Sequence, residues 1–169
     1  SGVSDFIINS NGTVVFTGAD NTFFTTPQVL RDFSAWYHLV LSVDTTAATA
    51  GNRIRFYLNG SQVTAFNNSY SPTQNFELAI NQAAEHDIGG KPAVGEFFNG
   101  YLADIHFIDG QALTPSSFTE VNATTGRLEP KAYSGPTPTG NSFWLPFSDN
   151  SAATATTLGK DGFLLGNNW

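Results

Sequence analysis

Asn11-Gly12, Asn59-Gly60, Asn99-Gly100 and Asp109-Gly110 each stand beside short apolar rows, and this pattern constrains the chain more than any other feature. Glycine takes the positive φ that tight reverse turns require, so such dipeptides join antiparallel strands. Asn11-Gly12 separates Phe6-Ile7-Ile8 from Val14-Val15-Phe16, and Asn59-Gly60 separates 54–58 from 63–66. Between the third and fourth dipeptides, Tyr101, Ala103, Ile105 and Phe107 alternate with Leu102, Asp104, His106 and Ile108, which predicts a strand. Thr114 is placed to cap a short helix over 114–121, with Pro115 at its first position.

The same alternation recurs elsewhere. Tyr37, Leu39, Leu41 and Val43 form an inward row, with Trp36, His38, Val40 and Ser42 opposite. Ile54, Phe56 and Leu58 face in, while Arg53, Arg55 and Tyr57 face out or across. Phe76, Leu78 and Ile80 read as a further strand, His86 to Gly90 as the start or end of the next, and 142–147 as the last. The Thr- and Ala-rich stretch 44–52 reads as a flexible connection, and 91–96 and 121–140 read as loops. Rows that are apolar on one face fit two sheets packed face to face: an all-β antiparallel sandwich with one short helix. Trp36 and Trp144 are expected in its core.

The run Phe98-Asn99-Gly100-Tyr101-Leu102-Ala103-Asp104-Ile105-His106-Phe107-Ile108-Asp109-Gly110-Gln111-Ala112-Leu113-Thr114-Pro115-Ser116-Ser117-Phe118 resembles a signature of concanavalin A-like (laminin G-like) jelly-roll modules in virion proteins of tailed phages, marine ones especially. The resemblance continues through Pro130-Lys131-Ala132-Tyr133, 144–151, 155–161 and 166–169. Upstream, 36–40 and 54–60 resemble a strand pair of laminin G-like folds generally. It implies a jelly roll and a virion surface or appendage protein, a fibre or capsid decoration. By this resemblance the protein would be a non-catalytic, extracellular module that displays loops and packs with other virion subunits as a homo-oligomer; the alternative is a lectin-like module binding host-surface glycans, and the weaker alternative a glycan hydrolase. The family's opening strand with its Trp-rich segment does not appear, and Gly162-Phe163-Leu164-Leu165 replaces its usual linker. The expected organisation is therefore a sandwich over 1–147 lacking the family's first strand, then an extended tail over 148–169.

Charge narrows the partners. Only 12% of residues are charged and the net charge is −7, with no basic patch, which argues against nucleic acid. No run is long and apolar enough to span a membrane. With 0 Cys there is no disulfide or thiolate site, and with 0 Met the sequence reads as a processed product or an excerpt. Small polar residues fill 150–157, which is expected to lie extended on a surface. Phe163, Leu164, Leu165 and Trp169 end the chain in an apolar cluster, expected to dock on its own sandwich or on a neighbouring subunit.

No residue is expected to be catalytic. A β-glucanase needs two carboxylates straddling the scissile bond, but Glu77, Glu85, Glu96, Glu120 and Glu129 are scattered. Asp104 and His106 are the nearest approach to a catalytic pair and read as a structural hydrogen-bonded pair. Calcium is conceivable at Asp104 with Asp109, or at Asp149-Asn150-Ser151. Neither has dense oxygen-ligand spacing, so no metal or other cofactor is expected. Sugar binding needs an exposed aromatic ring for a pyranose face and amides or carboxylates for its hydroxyls. The loop carrying Asn67, Asn68 and Tyr70 has that composition, as does the one carrying Asp20 and Asn21.

Overall fold

The computed structural model describes residues 3–18 and 21–169. The chain divides into two compact units, Ser1–Gln82 with Gln111–Gly135, and Ala83–Gly110 with Pro136–Trp169. The first seven strands are β1 (Ser4–Ile8), β2 (Thr13–Gly18), β3 (Asn21–Val29), β4 (Leu39–Val43), β5 (Ile54–Leu58), β6 (Ser61–Val63) and β7 (Asn68–Ser69). The rest are β8 (Gly90–Lys91), β9 (Glu96–Phe97), β10 (Ile105–Phe107), β11 (Thr119–Val121), β12 (Leu128–Pro130) and β13 (Phe143–Leu145). Every ladder is antiparallel.

The first unit is built on two facing sheets, ordered β1-β2-β3-β7 and β4-β5-β6. Cross-strand register lines up Phe6, Phe16 and Phe24 across β1, β2 and β3. From the other sheet Phe56 meets this row, with its ring 5.2 Å from Phe24 and 5.8 Å from Phe6. Tyr37, Leu39, Leu41, Val43, Ile54 and Leu58 pack against the same core, as their alternation predicts. Burial of these large rings is the main driving force for closing the sandwich.

Two irregularities in the β2–β3 ladder depart from simple alternation. Between the Phe16–Phe24 and Thr17–Thr22 pairs, β3 carries one extra residue, so consecutive Phe23 and Phe24 are both buried. Near Pro27, which has no N–H, the ladder breaks again. There the buried Thr26 hydroxyl replaces the missing partner, accepting from the Val14 amide at 2.9 Å and donating to the Gln28 carbonyl at 2.9 Å.

Both expected hairpins form, the second with its return strand at 61–63 instead of 63–66. Asn59 and Gly60, at φ 48° and 81°, make the tight turn between β5 and β6. The 44–52 connection is held rather than loose: Arg53 donates to the carbonyls of Ala47, Ala48 and Pro72, and Ala50–Asn52 forms a 3-10 turn.

Several expectations are corrected. Only 105–107 of the predicted 101–108 strand pairs, because Asp104 adopts a left-handed φ of 49° and ends the extended run. Phe76, Leu78 and Ile80 pack on the core without forming a strand, flanked by left-handed Asn75 and Asn81. The predicted helix over 114–121 is a 3-10 turn, Pro115–Ser117, that runs into β11, and Thr114 makes no side-chain cap bond. Two further 3-10 turns, Ala50–Asn52 and Pro92–Val94, complete the helical content of the described residues. The expected loop over 121–140 contains β12, the partner of β11. Tyr57, expected to face out or across, is buried, and Trp36 is exposed rather than core. Residues 151–159 form bends and turns instead of extended chain. Among the described residues, no helix is long and apolar enough to cross a membrane.

In the second unit, β10 pairs with β13 and the C-terminal residues fold onto that ribbon. The Phe163 ring lies 5.8 Å from His106 and 6.0 Å from Trp144, and the Trp169 ring lies 4.7 Å from Phe143. Asp161, 1% exposed, fastens the segment by accepting amide hydrogens from Trp144, Phe163 and Leu165 at 2.9–3.0 Å. The Gly162 amide donates to the Trp144 carbonyl at 2.6 Å, and a Cβ at Gly162 would collide with the Trp144 indole. Phe163 and Trp169 thus pack on their own chain, while Leu164 and Leu165 of the same expected cluster stay exposed.

Candidate functional site

Of the residues expected to hold a sugar, Asn21 lies on β3 and Asn68 on β7, strands of one sheet. Asn68 pairs with Thr25 and Ser69 with Phe24, laying the 67–70 segment along the β3 edge. The Asn67 amide donates to the Thr25 carbonyl and the Tyr70 amide to the Phe23 carbonyl, each near 2.9 Å. Asn21 opens the same strand, and Asp20 lies outside the described residues. Tyr70 is the aromatic member. One side of its ring rests on buried Phe23, with centroids 6.0 Å apart and planes 29° apart, and the residue is 44% exposed. Asn21, Asn67 and Asn68 are all exposed. The Asn67 side chain reaches only a long 3.4 Å bond to the Thr26 carbonyl. A ring fixed from behind and open in front, with exposed amides along the same edge, can stack on an apolar sugar face and bond its hydroxyls.

A second exposed feature lies past the other end of β3 and escaped the sequence reading. Phe33 is 93% exposed and Trp36 68% exposed, on a turn closed by the Ala35 amide donating to the Asp32 carbonyl. The Asp32 carboxylate accepts from the Ser34 hydroxyl and amide, which hold its carboxyl below its usual range. The Tyr37 hydroxyl accepts from the Asp32 amide. The readable signal was the Asp32-Phe33-Ser34 side-chain turn, which ends the strand row before Trp36.

The titratable groups on the β10–β13 ribbon are held in ring packing and hydrogen bonds. Trp144 Nε1 donates to Asp104 Oδ1 at 3.2 Å, and the His106 ring stacks on Trp144 at 5.5 Å and 10°. Burial pushes the His106 pKa below its ordinary value, against the opposing pull of the Asp104 carbonyl and carboxylate. The Asp149 carboxylate accepts from the Ser151 amide and hydroxyl, closing a local turn.

One pair of acids is closer than the sequence suggested. Glu120 and Glu129 are direct cross-strand partners on β11–β12, and Asn122 donates to Glu129 at 3.0 Å. Glu120 is exposed on a two-stranded ribbon. Among the described residues, no three His, Cys, Asp or Glu side chains cluster as a metal site would require.

A family model described as the concanavalin A-like lectin/glucanases superfamily, of laminin G type, matches residues 3–117. The chain belongs to this superfamily. The match spans both facing sheets and the Tyr70 edge, so the sandwich is the superfamily's fold and a lectin-like or binding role is its functional expectation. No curated protein and no solved structure matches the chain.

Proposed function

We propose that this chain is a non-catalytic, lectin-like module that binds host-surface glycans along the β3–β7 edge and is carried on a virion surface. The observation behind the reading is Tyr70, backed by Phe23 and open on its other side, with Asn21, Asn67 and Asn68 exposed along the same edge. A pre-packed ring loses little freedom when a sugar stacks on it, which favours binding by a small surface. The virion setting is carried by the C-terminal sequence resemblance. The non-catalytic reading is supported by the setting of Glu120 and Glu129, an exposed ribbon instead of a cleft that could straddle a glycosidic bond. No metal or cofactor is part of this proposal.

The test is a glycan array with the whole chain, followed by titration of the best ligand into Tyr70→Ala and Asn68→Ala. Loss of binding in Tyr70→Ala, with an unchanged melting temperature, supports the site. Retained affinity in Tyr70→Ala removes it.

Phe33 and Trp36 favour a second reading, in which the module also packs against other virion subunits or copies of itself. Two large rings this open are what an interface would cover. Sedimentation of the wild type beside Phe33→Ser with Trp36→Ser tests it, and an unchanged monomer in both would dismiss it.

A further inference from the structure

We propose that Asn99 is a site of spontaneous deamidation, and that the fold shields the other two Asn-Gly pairs, at Asn11 and Asn59, from the same reaction. In this chemistry the deprotonated amide nitrogen of the following residue attacks the asparagine Cγ. A new C–N bond closes a five-membered succinimide, and the side-chain nitrogen leaves as ammonia. Water then opens the ring at either carbonyl, giving aspartate or isoaspartate. Water is the only co-reactant and no electrons are transferred. Glycine in the following position has no Cβ to obstruct the attack, so all three pairs begin with the same intrinsic reactivity.

The fold separates them. At Asn11 the attacking nitrogen is engaged, since the Gly12 amide donates to the Asn9 carbonyl at 2.8 Å. The Asn11 side chain is engaged too, accepting from the Thr13 amide at 3.0 Å and the Thr13 hydroxyl at 2.7 Å. Gly12 is buried against Val29 and Leu30. At Asn59 the side-chain oxygen accepts from the His38 amide at 2.9 Å, and the Asn59 amide donates to the His38 carbonyl at 2.8 Å. That residue is locked in the left-handed turn between two paired strands. Asn99 has none of these restraints. It is exposed, lies in the unpaired stretch between β9 and β10, and neither its side chain nor the Gly100 amide has a hydrogen-bond partner among the described residues. Its neighbours Phe97 and Tyr101 are 70% and 88% exposed, so the reaction would put a new negative charge into a solvent-facing aromatic stretch.

The test incubates the full chain at mildly alkaline pH and follows all three peptides by mass spectrometry, with enzymatic methylation to count isoaspartate. The same time course is run in denaturant. Asn99 is expected to convert several-fold faster than Asn11 and Asn59 in the folded chain, with the three rates converging once the chain is unfolded. Asn99→Gln should remove the early isoaspartate signal and leave the other two peptides unchanged. Equal rates at the three sites in the folded chain, or the same ranking in denaturant, would overturn the proposal.

Discussion

Asp161 places a carboxylate where almost no water reaches it and satisfies it with three backbone amides. Removing the acceptor leaves buried donors unpaired, and that penalty exceeds the net value of the bonds themselves. Asp161→Ala should destabilise the β10–β13 unit by at least about 2 kcal/mol, with Asp161→Asn, which keeps one oxygen, costing less. Urea unfolding followed by tryptophan fluorescence checks the order, and an unchanged Asp161→Ala curve would show that the tail is held by other means. His106 makes a pH-dependent contribution of known sign. Burial holds its folded pKa below the ordinary 6.5, so the unfolded chain takes up the proton first as the pH drops. The contribution is therefore present above the ordinary value and is lost as the pH falls from there through the lower folded value. The melting temperature of the wild type should decline over that range more than that of His106→Phe, which keeps an aromatic ring against Trp144 and cannot titrate.

The β5–β6 hairpin shows which elements can be read from sequence. Its turn chemistry and its alternation are both local, and they agree, so the turn, the first strand and its inward row of Ile54, Phe56 and Leu58 were legible, while the return strand starts earlier, at Ser61. Gly60 sits at φ 81°, which a side chain adopts only with strain, while its nearest neighbour is the flexible end of Leu128. Gly60→Ala should therefore cost about 1 kcal/mol from the backbone, read as a lowered urea midpoint with an unchanged slope. Where local signals and tertiary pairing part, the sequence misleads. Alternation at Phe76, Leu78 and Ile80 records burial against the core, but no strand pairs with it. The 101–104 segment alternates as well, yet Asp104 turns left-handed and gives its carboxylate to the Trp144 indole, a contact forty residues away in the chain. Tyr70 and its amides were legible as a composition. That they lie along β3 was not, because the β3–β7 ladder joins segments far apart in the chain.

Across the whole molecule, charge restricts which glycans the proposed surface would accept. Fourteen acidic residues against seven basic ones leave a net charge of −7 at neutral pH. No basic patch offsets this field, and the Asp32 carboxyl stays ionised to lower pH than usual. A sulfated or uronic-acid polymer therefore approaches against repulsion, and added salt screens that repulsion within about 8 Å at physiological ionic strength. A neutral sugar stacked on Tyr70 and bonded by amides feels little of this, because its contacts are apolar and dipolar. Binding of neutral glycans should thus stay nearly constant as salt is raised. Binding of polyanionic glycans should be weak at low salt and should strengthen, if it changes at all, as salt increases. Affinities measured for one neutral and one sulfated oligosaccharide across a salt series decide between these behaviours. Tight binding of the sulfated ligand at low salt, lost on adding salt, would mean that a local cationic surface overrides the net charge, with the exposed Arg31 as the first residue to replace.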